Sequence, residues 1–219
     1  MARILITSGP TRQYLDPVRF ISNASSGRLG SHIAAAAIAA GHEAVVVTGP
    51  VSIDYPEKAR VIPVTTTQQM LDACQREFGN CQGLIGVAAP CDYQPATVAE
   101  QKLKKTGQPL VLQLVQTPDI VASLGASRSP DQWIVGFALE TEDMIHRAVT
   151  KLHRKCCDLV VLNGPQAMNA ETHAVEMIDV SGNVVADFCG PKPAVARAIF
   201  LEIQKRLIDV RLAISGDGI

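Results

Sequence analysis

The chain reads as an α/β protein: a three-layer, doubly wound and mainly parallel sheet that finishes in an antiparallel β-hairpin. Three observations lead there. Short apolar β-type runs alternate with helix-like segments from the N-terminus to about residue 162. Apolar residues make up 47% of the 219 residues but aromatics only 4%, so the core must be built from Ala, Val, Ile and Leu, as suits a sheet covered by helices. After residue 172 the pattern changes to two alternating runs about a Ser-Gly-Asn turn.

The elements follow in order. Arg3–Thr7 is the first strand, and Leu29–Ala40, with Ile33, Ile38 and alanine almost all round, is a buried helix stopped by Gly41. Strands at Ala44–Thr48 and Val61–Val64 precede a helix over Gln68–Glu77, and a fourth strand covers Leu84–Ala88. A further strand is expected at Leu110–Leu114, then a short helix near Asp119–Leu124 and a strand at Ile134–Ala138. The helix Asp143–Lys155 carries a core stripe of Ile145, Ala148, Val149, Leu152 and Cys156, and Leu159–Leu162 follows as a strand. His173–Asp179 and Val184–Phe188 make the hairpin, and Pro191 opens a last amphipathic helix with Ala194, Ile199, Ile203 and Leu207 on its apolar side. One domain over residues 1–212 is expected, with a flexible tail at 213–219. Such an arrangement is Rossmann-like, and its ligands bind beyond the carboxyl ends of the strands.

Composition narrows the function. A formal charge of −1 offers no global attraction for nucleic acid or an anionic membrane, so phosphate recognition must be local. No apolar run approaches the ~20 residues of a membrane-spanning helix, and no secretory signal precedes the first strand, which points to the cytoplasm. The six cysteines form no CxxC pair and no metal-ligand spacing, so reduced structural thiols are expected and no metal ligands are assigned. Cys91 is read as a small buried hydrophobe rather than a nucleophile.

The strongest local signal is Ser8-Gly9-Pro10-Thr11-Arg12 followed by Asn23-Ala24-Ser25-Ser26-Gly27-Arg28-Leu29-Gly30, a long polar strand-to-helix connection. Free N–H groups of the first helical turn, the positive end of the helix dipole and the serine hydroxyls can all address one phosphate. Gly27 and Gly30 allow that phosphate and the neighbouring strand to come close. The competing reading is an N-cap serine beside a packing glycine, but ordinary βα loops run only about 2–6 residues.

Other residues carry two readings as well. Lys102, Lys104 and Lys105 form either a solvated face or a flexible basic loop able to cover a polyphosphate. Lys151 and Lys155, four apart on a helix, either complement its dipole or reach one polyanion together. Asn23 either closes a turn or holds a substrate carboxylate or acyl carbonyl.

The string from Gly9 to Gly30 resembles the opening of phosphopantothenoylcysteine synthetases, ligases of coenzyme A biosynthesis. Ala88-Ala89-Pro90-Cys91-Asp92-Tyr93, Lys102-Leu103-Lys104-Lys105, Thr117-Pro118-Asp119-Ile120-Val121, Gly136-Phe137-Ala138-Leu139-Glu140-Thr141 and the stretch Lys151 to Asn163 follow in that family's order. Departures fall at Pro90, Cys91, Leu139 and Gly164. The resemblance implies amide formation between 4'-phosphopantothenate and L-cysteine through an acyl-cytidylate, with CTP as co-substrate and Mg²⁺ held mainly on its phosphates. It implies Asn23 and Lys102 as catalytic residues, and substrate contacts from Asn23, Ala88, Ala89 and Asp92. Nucleotide contacts would come from Gly9, Ser25, Gly27, Gly30, Asp92, Pro118, Asp119, Ile120, Val121, Phe137, Lys151, Lys155 and Asn163. A homodimer is expected, pairing through an exposed strand of the 174–188 hairpin across a two-fold axis, as is a flavin-dependent decarboxylase acting next, either as a separate protein or as a part absent from a cut domain. The rival classes are a short-chain-type NAD(P) reductase and a non-catalytic nucleotide-binding paralogue. Against the reductase, no glycine triplet follows Thr7 and no acidic residue closes the strand near Thr48.

Overall fold

A computed structural model describes residues 1–139, 144–163 and 172–211. Six parallel strands form the centre of its main sheet: β1 (Arg3–Ser8), β4 (Glu43–Thr48), β5 (Arg60–Pro63), β6 (Gly83–Gly86), β9 (Trp133–Leu139) and β10 (Leu159–Asn163). β11 (Thr172–Asp179) and β12 (Val184–Pro191) continue it antiparallel, giving the order β12-β11-β10-β9-β6-β1-β4-β5. From β1 the chain winds one way to β4 and β5, and from β6 the other way to β9 and β10. The switch in direction therefore falls between β1 and β6, where such sheets open a crevice.

Both faces of the sheet are buried, so the central strands are apolar throughout. Ile4 and Ile6 of β1 face α1 (Arg28–Ala39) and α5 (Lys192–Ile203), packing with Ile33, Ala34, Ala37, Ile199 and Phe200. Leu5, between them, points the other way towards α2 (Thr67–Phe78), α3 (Ile120–Ser127) and α4 (Met144–Arg154), among Met70, Cys74, Leu124 and Leu152. α1 ends as expected, at Ala40 followed by Gly41 with φ +85°. Among the described residues no helix is long and apolar enough to cross a membrane.

Three expectations need correction. The run Leu110–Leu112 takes no place in any sheet: these three residues are 63%, 89% and 38% exposed, and only Leu114–Gln116 (β8) is a strand, paired with β7 (Tyr93–Pro95) outside the main sheet. The reason is topological, since a parallel strand needs a covering crossover and residues 96–113 contain no helix. In α4, Ile145 is exposed and Cys156 lies beyond the helix with φ +52°, so Ala148, Leu152 and Cys157 make the core contact. In α5, Ala194 is exposed, whereas Ile199, Ile203 and, past the helix end, Leu207 are buried as expected and Val195 and Ala196 join them. The N-cap of α1 is Gly27, which removes the competing reading of an N-cap serine. The expected tail at 213–219 and Gly164 lie outside the described residues.

A second small sheet pairs β2 (Arg12–Tyr14) with β3 (Phe20–Ser22). This hairpin sits inside the long connection between β1 and α1, and it makes that connection an ordered element rather than a simple loop.

Candidate functional site

Two lobes open at the carboxyl ends of β1, β6, β9 and β10. The larger encloses about 530 Å³ and its neighbour about 430 Å³; Ala88, Pro90, Asp92, Phe137 and Lys155 line both. Volumes of this order suit small-molecule ligands.

The larger lobe is framed by the first turn of α1. Gly27 adopts φ +76° as N-cap and has no side chain to cap the helix, Ser26 Oγ accepts from Arg28 N–H at 3.5 Å, and residues Ser25 to Gly30 line the lobe. Gly30 is required by packing: a Cβ there would lie 2.2 Å from Ser8 Oγ and 2.7 Å from Ser8 Cβ. Ser8 Oγ donates to Gly27 O at 3.2 Å and accepts from Tyr55 Oη at 2.9 Å, which fixes the helix end against β1. Arg28, Lys151, Lys155 and Lys192 line this lobe, against Asp92 as the single carboxylate among the described lining residues. A chain that is nearly neutral overall thus concentrates positive charge where a helix N-terminus opens.

The second lobe is shaped by the start of α3. Asp119 caps that helix, its Oδ1 accepting from Ala122 N–H at 3.1 Å, while Lys155 Nζ pairs with Oδ2 at 3.1 Å and Arg154 approaches it at 3.7 Å. Pro118, Ile120 and Val121 line the wall beside Phe137. The cap already satisfies the helix end with a carboxylate, so this lobe differs from its neighbour in having no uncapped helix start; its apolar wall faces the polar side chains of Asp92, Gln116, Thr117, Arg154 and Lys155.

Asn23 lies at the larger lobe just past β3. Its Nδ2 donates to Ala89 O at 3.2 Å and Pro90 O at 2.9 Å, which leaves the side-chain carbonyl as the atom available to a ligand. Ala88 and Ala89 form the floor, but their N–H groups are engaged by Thr7 Oγ1 at 3.3 Å and Gly9 O at 2.9 Å. They supply a close wall rather than donors. Asn163, at the end of β10, also lines this lobe, and its Oδ1 is buried with no hydrogen-bond partner among the described residues.

Two expected residues stand apart from both linings. Gly9 lies behind the floor, where its carbonyl takes the Ala89 N–H. Lys102 is exposed on the irregular segment after β7. Cys91 is buried, with Sγ donating to Thr11 O at 3.4 Å and to Ile21 O at 3.6 Å, and burial pushes its thiol up. Its backbone joins a buried network of Thr11, Gln13 and Thr67, in which Cys91 N–H donates to Thr11 Oγ1 at 2.9 Å. That placement fits a structural thiol. The side chain of Leu139, and Glu140 and Thr141, lie outside the described residues.

Sequence reasoning missed Arg28, His173 and Lys192 in the larger lobe. Arg28 was legible, standing inside the Ser-Ser-Gly-Arg motif. His173 and Lys192 come from the hairpin and α5, and they arrive only because Thr172 pairs with Pro191 and His173 with Gly190.

Comparison with known proteins places this geometry. The family described as DNA/pantothenate metabolism flavoprotein C-terminal domain matches residues 1–207. The coenzyme A biosynthesis bifunctional protein CoaBC of Vibrio vulnificus is 39% identical over 207 residues, covering 92% of this chain and 51% of that protein. A cysteine/cysteine sulfinic acid decarboxylase from an unknown prokaryotic organism is 41% identical over 187 residues, 83% of this chain and 52% of the relative. The chain therefore spans about half the length of these curated relatives. The crystal structure of the C-terminal domain of a CoaBC protein superposes with a TM-score of 0.80 at 34% identity, covering 95% of this chain and 98% of that one. The Rossmann-like sheet, its antiparallel end and the match across residues 1–207 agree: this chain belongs to the family of DNA/pantothenate metabolism flavoprotein C-terminal domains.

Proposed function

We propose that this chain is a phosphopantothenate–cysteine ligase that uses CTP. The observation that carries the reading is the pair of lobes meeting at Asp92, Phe137 and Lys155: one rich in cations at the N-terminus of α1, the other walled by Pro118, Ile120, Val121 and Phe137 beside the capped start of α3. Two phosphorylated reactants brought together for transfer need two such compartments. The likeness to the C-terminal domain of a CoaBC protein supports the same pathway. The relative named as a decarboxylase matches over only 52% of its length, so that name can describe the half this chain does not cover.

In this reading Pro118 to Val121 and Phe137 receive the cytosine, and Lys151 and Lys155 balance the triphosphate. Ser25, Gly27 and Gly30 address a phosphate at the start of α1, with Asp92 and Asn163 at the same wall. The pantothenate carboxylate attacks the α-phosphate of CTP, pyrophosphate leaves, and an acyl-cytidylate forms. The amine of cysteine then attacks the acyl carbon, CMP leaves with the bonding electron pair, and the amine loses a proton. Asn23, its amide committed to Ala89 and Pro90, offers Oδ1 to an N–H of that amine. Lys102 compensates phosphate charge from the basic loop. Among the described residues no group of three His, Cys, Asp or Glu side chains converges on one point. Mg²⁺ enters the proposal as part of the nucleotide substrate, and no step is assigned to it.

We also propose a cytoplasmic homodimer, working with a flavin-dependent decarboxylase that takes its product. The expectation of pairing through the 174–188 hairpin meets a stronger candidate in the exposed run Leu110, Val111, Leu112, Leu114 and Val115 beside Tyr93.

The test is direct. Protein, Mg²⁺, CTP, phosphopantothenate and cysteine should release pyrophosphate and yield amide, with ATP and NADPH as controls. Equal rates with ATP remove the CTP assignment, and absence of amide removes the ligase. Lys102→Gln should still release pyrophosphate in a first turnover while acyl-cytidylate accumulates, and Lys104→Gln should do much less.

A further inference from the structure

The turn of the β2–β3 hairpin closes on a segment more than 80 residues away in sequence. Asp16 is fully buried there. Its Oδ1 accepts from the N–H groups of Val18 and Arg19, both at 2.8 Å, which is the ordinary use of an aspartate in a turn. Its Oδ2 does something else: it accepts from Leu103 N–H at 3.0 Å and from the Arg19 guanidinium at 2.5 Å. The same guanidinium nitrogen donates to Leu103 O at 2.9 Å. Both backbone polar groups of Leu103 are thus held by one ion pair, and Leu103 sits between Lys102 and Lys104. A third bond, from Ala99 N–H to Leu15 O at 3.0 Å, ties the same two segments.

We propose that Asp16 and Arg19 are positioning residues that latch the basic loop at Leu103 and so present Lys102 for the reaction. The inference rests on the catalytic role proposed for Lys102. A loop whose side chains are almost all exposed has little buried apolar surface to order it. The latch supplies that order through charge-assisted bonds to main chain, which leave the lysine side chains free to face a ligand. Burial alone would raise the Asp16 carboxyl, but the N–H groups of Val18, Leu103 and Arg19 and the Arg19 guanidinium outweigh it and hold the group well below the usual carboxylate range. The latch therefore stays charged at working pH. The other end of the hairpin leads directly into Asn23, anchored on Ala89 and Pro90. One small sheet thereby frames both residues proposed to be catalytic.

The test combines amide hydrogen exchange with kinetics on the full chain. Arg19 is 39% exposed, so Arg19→Gln removes the guanidinium without opening the core, whereas Asp16→Asn, at a buried position, is the second variant. Arg19→Gln should raise exchange in the peptide covering residues 96–113 while the central strands keep theirs, and lower kcat by about a hundredfold, the scale of a 1 Å misplacement. In a Lys102→Gln background the same change should cost little more. Arg19→Lys, retaining charge but not the two-way geometry, should recover part of kcat. Unchanged exchange in Arg19→Gln and Asp16→Asn overturns the latch. Raised exchange with wild-type kcat, or a full penalty persisting without Lys102, overturns its link to catalysis. A Lys102→Gln enzyme with wild-type kcat instead sinks the role proposed for the lysine, while the exchange data still decide the latch.

Discussion

Gly30→Ala tests whether the first turn of α1 must touch the end of β1 for the larger lobe to exist. The added Cβ would stand 2.2 Å from Ser8 Oγ and 2.7 Å from Ser8 Cβ, distances at which something must move. Overpacking of this kind costs about 1–3 kcal/mol, and displacing Ser8 from Gly27 O loses a hydrogen bond worth about 1 kcal/mol. Against this, alanine is favoured over glycine in a helix by about 1 kcal/mol. The net loss is about 1–3 kcal/mol, and at about 2–4 °C per kcal/mol for a chain of this size Tm should fall by about 2–12 °C. Thermal melts followed by circular dichroism read that loss, and the larger lobe should bind CTP more weakly in parallel. Ser8→Gly removes both clashing atoms, so Gly30→Ala should cost much less on that background than on the wild type. A Gly30→Ala protein that melts with the wild type, or a double variant whose losses simply add, would refute the packing argument.

Thiol reactivity should divide the cysteines: Cys156 and Cys189 are exposed and should label quickly, while burial pushes Cys74 and Cys157 up to about 12 and Cys81 up to about 11. A thiol titration of the native protein should show two fast groups and four that appear only on unfolding; fast labelling of Cys91 would contradict its structural role. Because the folded-state value of Asp16 is depressed, its ionised form stabilises the fold above about pH 4 and that contribution disappears as pH falls through the folded value. The stability gap between wild type and Asp16→Asn, from urea midpoints, should stay level from about pH 8 to 5 and shrink below about pH 4; a gap that grows in acid would reverse the sign. Val111→Asp, at a residue 89% exposed, should leave Tm nearly unchanged and shift the mass by light scattering from dimer to monomer; a monomeric wild type ends the dimer proposal.

Much of the architecture is written in local pattern. The alternation of β-type runs with helices, the glycine stop of α1 and the hairpin at 172–191 follow from periodicity and turn chemistry, which act over a few residues. So does the polar opening from Ser8 to Gly30, whose glycines mark close backbone approach before any neighbour is known. Because parallel strands carry their loops to the same edge, the same reasoning brought Asn23, Ser25 and Asp92 to one crevice, while Phe137, Lys151 and Lys155 were expected there through the family resemblance. Tertiary structure decided what local pattern leaves undetermined. Leu110–Leu112 read as a buried strand, yet apolar character alone does not supply a place in a sheet whose β6 is already flanked by β1 and β9. Ile145, Cys156 and Ala194 read as core, yet they lie at or beyond the ends of their helices, where the sheet no longer covers them, while Ala148, Leu152, Ile199 and Ile203 are buried as expected. Lys192 and His173 enter the larger lobe through cross-strand register, and Asp16 reaches Leu103 across 87 positions. Contacts at that separation depend on how closed elements dock, a property of the packed whole that no short window of residues contains.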